Sequence, residues 1–237
     1  MKKNGRPRVI LDVDDISDGM AASLIRLFGN RIFAVKSVDF LRDMGWSVGK
    51  MLKRLGAPRI WIDAGLYGRP HTVRRFAAAL HGAEVDIVTV HASAGVEIMK
   101  TIRDAGVQVY ADTVLPSLGH EEVRRSYGRE RPEDVVIAFA EMAEEAEAAG
   151  VVCLPHDIPL LKQLLVRTEI VAVDVRPAGS PETGRKRVGD LSMAVRHGAD
   201  RLVIGGELIA EAPDPVVALQ KIEEEIRVAL RASKEEK

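Results

Sequence analysis

A single cysteine, Cys153, stands among 237 residues. No internal disulfide can form, and such usage fits a reducing compartment. Aromatic residues make up only 4% of the chain against 46% hydrophobic overall, so a core has to be built from Val, Ile, Leu and Ala. Neither sign of charge dominates: 34 Lys and Arg face 35 Asp and Glu, which removes the electrostatic case for nucleic-acid or membrane partners. No apolar run approaches the ~20 residues that span a bilayer. The run after the basic start Met1-Lys2-Lys3 is too short for a secretory signal. The expectation is a soluble cytoplasmic protein. The six histidines, at 71, 81, 91, 120, 156 and 197, lack ligand spacing, so neither a metal nor a cofactor is expected.

What the chain does have is alternation. Short, nearly continuous apolar runs occupy 9–13, 32–36, 60–63, 85–90, 107–111, 151–154, 170–174 and 202–205. Their length and uniform character suit parallel strands buried on both faces. Between them lie amphipathic stretches such as 48–55, 72–80, 94–104, 132–149 and 215–230. Pro132-Glu133-Asp134 is a good helix start, with Gly150 as its stop. Glycines at 56, 82, 106, 150 and 198 recur where a left-handed turn leads back into a strand. Eight strand–helix alternations without a composition break predict one α/β domain over 1–237, either a closed (β/α)8 TIM barrel or an open doubly wound sheet. The least regular segments, 113–131 and 175–189, follow strands and so belong at the C-terminal mouth. The basic run Arg185-Lys186-Arg187 falls in the second.

One stretch carries more than fold. Ile62-Asp63-Ala64-Gly65-Leu66-Tyr67-Gly68-Arg69-Pro70-His71-Thr72-Val73 reads as a strand end, a turn and a helix start. It resembles the active-site segment of the orotidine 5′-phosphate decarboxylase family, Asp-x-Lys-x-x-Asp-Ile-Pro-x-Thr. Asp63, Pro70 and Thr72 match; Gly65 stands at the lysine position and Gly68 at the second aspartate. Further pieces follow in order. Val9-Ile10-Leu11-Asp12-Val13-Asp14 is similar to the family's opening strand, and Ala34-Val35-Lys36 to its second. Val88-Thr89-Val90-His91-Ala92 is similar to the fourth, and Gly150-Val151-Val152-Cys153 to the sixth. Val175-Arg176-Pro177-Ala178-Gly179-Ser180 resembles the family's Ile-Arg-Pro-Gln-Gly-Ser, and the segment from Gly198 to Ile209 resembles its phosphate-binding eighth strand.

The resemblance implies the closed (β/α)8 TIM barrel, a decarboxylase-type lyase acting on a phosphorylated ribonucleotide or sugar, by default orotidine 5′-phosphate in pyrimidine biosynthesis, and a homodimer. It implies Lys36 and Asp63 as the catalytic remnant of an Asp-Lys-Asp-Lys array, and Asp14 and Thr72 on ribose hydroxyls. Matching strand ends puts Asp14 in that role, with Asp12 two residues earlier as the register alternative. Arg176, Pro177 and the backbone of Gly205 and Gly206 fall around phosphate, although Gly206 replaces the family's arginine. With the lysine absent at 65, His71 is the nearest local replacement by pKa, and Pro116 or Ser117 falls near the expected substrate carboxylate. The losses at 65, 68 and 206 motivate the rival expectation of a non-catalytic barrel that binds a nucleotide or phosphosugar.

Overall fold

The computed structural model describes residues 8–180 and 189–235; Arg185, Lys186 and Arg187 lie outside them. The strands are β1 Val9–Asp12, β2 Ala34–Ser37, β3 Ile60–Leu66, β4 Ile87–His91, β5 Gln108–Asp112, β6 Gly150–Cys153, β7 Glu169–Ala172, β8 Val175–Arg176, β9 Gly189–Asp190 and β10 Arg201–Gly205. Eight of them close a barrel in the order β1-β10-β7-β6-β5-β4-β3-β2, while β8 and β9 pair separately beside it. Each barrel pairing is parallel. The fold is therefore the closed barrel that the resemblance implies, and not the open doubly wound sheet.

Closure follows from what the strands can bury. Strands of four or five residues (seven in β3), apolar on both faces over most of their length, leave no side that tolerates water, and a closed sheet has no edge to protect. The outward faces pack with the helices into one large core, anchored by residues such as Leu11, Ile62, Val88 and Ile204. The inward residues form a second, smaller apolar ring, one per strand, from Ile10 and Ala34 through Trp61 and Tyr110 to Val203. The Trp61 and Tyr110 rings meet edge to face with centroids 5.0 Å apart, filling the barrel's middle. Gly150 is small for this reason: a Cβ there would press on the Tyr110 ring, 2.7 Å from its nearest atom.

The helix expected from Pro132 runs Pro132–Glu145 and stops at Ala146, so Gly150 opens β6 instead of ending the helix. The left-handed exits fall on Gly56, Gly106 and Gly198 as read, but on Glu84 and Glu147 near the other two glycines. The segment 113–131, read as irregular, contains a helix, His120–Tyr127. Only Val123 of it is buried, and Glu121 pairs with Arg124 and Arg125, so an apolar pattern had little to reveal.

Candidate active site

Two residues beyond each member of the apolar ring, the alternation of a strand brings the next inward side chain to the C-terminal mouth. On β1 to β5 these are Asp12, Lys36, Asp63, Thr89 and Asp112; beyond β6 and β7 they are Leu154 and Val173, and β10 ends at Gly205. The mouth layer is thus polar over five consecutive strands and uncharged over the other three. It encloses a cavity of about 370 Å³, floored by Trp61.

Lys36 is the centre of the polar arc. Its Nζ lies 2.9 Å from Asp12 Oδ2 and 2.7 Å from Asp63 Oδ2. The residue is only 9% exposed, and an ammonium so buried requires partners of this kind. Burial pulls its pKa down, but Asp63 and Asp12 together outweigh that and hold it above the usual lysine range. Asp63 is fixed in turn: Thr89 Oγ1 donates to its Oδ1 at 2.6 Å, and Trp61 Nε1 donates to Thr89 at 2.7 Å. This relay orients the carboxylate from behind while its other oxygen faces Lys36.

Asp14 takes a different task from the one expected of it. Its carboxylate accepts from Ser37 Oγ and from the backbone N–H groups of Val38 and Asp39, at 3.0 and 3.1 Å for the latter two. It borders the cavity, but its oxygens hold the turn after β2, and Asp12 is the β1 carboxylate on Lys36. Thr72 does not line the cavity of its own chain. The helix Pro70–Gly82 begins two residues earlier and turns Thr72 to solvent, where its hydroxyl meets His71 Nε2 at 3.1 Å. His71 is likewise exposed. Gly65 sits at an irregularity of β3 with φ of 51°, exposed, with open space around the position of a Cβ. His91 turns to Ser93 and Tyr127 and away from the cavity.

At the expected phosphate end, Gly205 and Arg176 line the cavity, whereas Pro177 lies on a neighbouring surface groove. Gly206 is packed under the mouth: a Cβ there would reach 2.7 Å from the Asp12 carbonyl oxygen, which accepts the Gly206 N–H at the same distance. An arginine could not occupy this backbone without displacing β1. Glu207 folds back over Gly205, so that a Cβ on Gly205 would collide with its carboxylate. Its buried Oε2 has no hydrogen-bond partner. Asp174 adds a second carboxylate to this wall, in a left-handed backbone with φ of 51°. Pro116 reaches the cavity and Ser117 does not.

Asp112 and Glu207 are site residues that apolar patterning alone passes over. The fifth run, read as ending at Ala111, continues to Asp112. Extending the alternation Ile10–Asp12 and Trp61–Asp63 by one step to Tyr110–Asp112 is the signal that finds it.

A parallel eight-stranded barrel with a buried lysine held between two carboxylates at its C-terminal mouth defines a small-molecule site of the (β/α)8 class. The profile of the orotidine 5′-phosphate decarboxylase / HUMPS family matches residues 7–222. The chain is 32% identical over 229 residues to orotidine 5′-phosphate decarboxylase of Nitrosococcus oceani, covering 93% of this chain and 98% of that one. It is 34% identical over 235 residues to the enzyme of that name from Moorella thermoacetica, covering 93% and 91%. The crystal structure of orotidine 5′-phosphate decarboxylase from Lactobacillus acidophilus superposes with a TM-score of 0.78 at 25% identity, over 94% of this chain and 99% of that one. The chain belongs to the orotidine 5′-phosphate decarboxylase / HUMPS family.

Proposed function

We propose that the chain is a decarboxylase-type carbon–carbon lyase acting at the barrel mouth on a phosphorylated ribonucleotide or sugar, with orotidine 5′-phosphate the first substrate to test. The observation that carries this reading is Lys36, bridged to Asp12 and Asp63 within 2.9 Å in a cavity floored by Trp61. Loss of CO2 leaves an electron pair on carbon. A fixed ammonium beside that carbon stabilises the charge without reorganising when it forms, which is where electrostatic catalysis is strongest. Asp12 and Asp63 keep Lys36 charged and immobile, and the Thr89–Trp61 relay keeps Asp63 facing it. Membership in the family and homologues named as decarboxylases support the same reading. A homodimer, a cytoplasmic location and a place in pyrimidine biosynthesis form part of this proposal. Exposed Trp46 and Tyr67 supply apolar surface that suits the dimer.

A purified sample given orotidylate should show loss of the substrate's absorbance in proportion to enzyme concentration. Absence of turnover at high enzyme concentration removes this substrate.

A second reading, a barrel that binds a nucleotide or phosphosugar without catalysis, is favoured by two observations. Gly65 supplies no proton donor, and the Glu207 carboxylate lies over the Gly205 cradle. UMP in a thermal-shift series separates the two readings. A bound ligand at a hundredfold excess over Kd adds about 2.7 kcal/mol, so stabilisation without turnover supports the binder.

Glu207 also has its own expected effect. A carboxylate a few ångströms from an incoming phosphate costs on the order of 1–2 kcal/mol even when screened. Glu207→Gln should therefore tighten UMP binding roughly tenfold in calorimetry. Unchanged or weaker binding would place the phosphate elsewhere.

A further inference from the structure

Asp112 differs from every other carboxylate of the polar arc. Asp12 and Asp63 bind Lys36, and Asp14 is spent on backbone N–H groups. Asp112 borders the cavity, and its carboxyl makes no hydrogen bond or ion pair with any described residue. The groups around it explain why it stands alone. From β3 it faces the charge of Asp63, and from β2 that of Lys36, which is already committed to two carboxylates. Its neighbour in register on β4, His91, is engaged by Ser93 and Tyr127. On β6 the neighbour is Val152, followed by the buried thiol of Cys153, and neither offers a cation.

We propose that Asp112 is the proton donor of this site, serving as a neutral carboxylic acid where the resembling motif would supply a lysine ammonium from position 65. The assignment rests on the lyase reading above for its chemistry. The C–C bond to the carboxylate breaks and CO2 leaves. The electron pair stays on the substrate carbon, beside Lys36. The O–H bond of Asp112 then breaks, its proton forms the new C–H bond, and Asp112 is left as a carboxylate. After product release it recovers a proton from water. No electrons are exchanged with another reagent. Asp112 is suited to this because burial, and then the charge of Asp63, push its carboxyl up to about 8 against the pull of Lys36. Near neutral pH it therefore holds its proton and lies close to the ambient pH, the condition for an efficient general acid. Lys36, held charged by two carboxylates, is the poorer donor.

The test pairs two measurements on the full chain, wild type and Asp112→Asn. In steady-state assays with orotidylate, the wild type should lose activity as pH rises through about 8, about tenfold per unit above it. Asp112→Asn, which keeps the shape and lacks the acid, should lower kcat by about a hundredfold or more while leaving UMP affinity unchanged. Asp112→Glu should recover part of the loss. Asp112→Asn turning over at the wild-type rate overturns the assignment. In parallel, the carboxyl signal of carbon-13-labelled aspartate that is missing from Asp112→Asn should titrate near pH 8 and shift when UMP binds. A midpoint below about pH 6, in the range of ordinary carboxylates after modest perturbation, overturns it whatever the turnover. If the wild type is inactive on orotidylate but the signal titrates near pH 8 and answers to UMP, the acid of the site stands and the lyase reading falls.

Discussion

Lys36→Ala should lose about 3–5 kcal/mol of stability, the cost of leaving buried charges without their partner, and should abolish any turnover. In a chain of this size that lowers Tm by roughly 10 °C. The reason is the arithmetic of the mouth. One ammonium serves Asp12 and Asp63 at 2.9 and 2.7 Å, and Asp112 faces the same space. Without Lys36, Asp12, Asp63 and Asp112 face the cavity with no cation within the polar arc. They can respond only by taking up protons, so in the variant their folded-state pKa values rise above those of the unfolded chain. Stability of the variant is then fully present below the unfolded carboxyl value, about 4, and is lost as pH rises. The gap to the wild type should be small near pH 4.5 and wide near pH 8. Lys36→Met, which retains most of the volume, should reproduce the pH dependence with a smaller cavity effect. Thermal melts across that pH range decide the matter. A deficit below 1 kcal/mol and flat with pH would mean that the carboxylates are hydrated and Lys36 is not their counter-charge.

Asp112→Asn should do the opposite and stabilise the protein. A carboxyl at about 8 in the fold and about 4 unfolded holds its proton in the folded state over a range where the unfolded chain has released it. Its contribution is fully present below the unfolded value and falls by about 1.4 kcal/mol per unit as pH rises towards the folded value. From pH 5 to pH 8 that is on the order of 4 kcal/mol as a ceiling. Asparagine carries no proton to lose, so the variant should match the wild type near pH 4 and melt several degrees higher at pH 8. Equal melting temperatures at both values would show Asp112 to be an ordinary solvated carboxylate. The gain in stability beside a loss in kcat is the trade expected where a destabilised group is kept for its chemistry.

Much of this is legible in the sequence. The parallel α/β sheet follows from eight apolar runs, each too short and too uniformly apolar for a sheet with one wet face; its closure into a barrel is implied by the family resemblance. Lys36 and Asp63 stood out because a charge at the end of such a run sits at the mouth by construction. The same rule misled at β1, where two aspartates end the strand: Asp12 continues the inward alternation from Ile10, while Asp14, beyond the strand, is drawn into the turn by three donors. Thr72 was unreadable because its orientation depends on where the helix begins, and Pro70 sets that two residues before it. Asp112 was missed because reading runs by apolarity ends them one residue before the side chain that matters. Glu207 resembles an ordinary acid in the first turn of a helix; only the fold shows its carboxylate lying back over Gly205.

The division of the mouth layer, polar on β1 to β5 and uncharged from β6 round to β10, gives the cavity a sidedness. At the level of that layer a flat ring meets a wet rim on one side and the side chains of Leu154 and Val173 on the other, with Asp174, Arg176 and Glu207 beyond the strand ends. Its heteroatom edge and its hydrocarbon edge are therefore not interchangeable, and one of the two ways of turning the ring over is disfavoured by desolvation alone. Orientation is thus written into which strands carry charge at that layer.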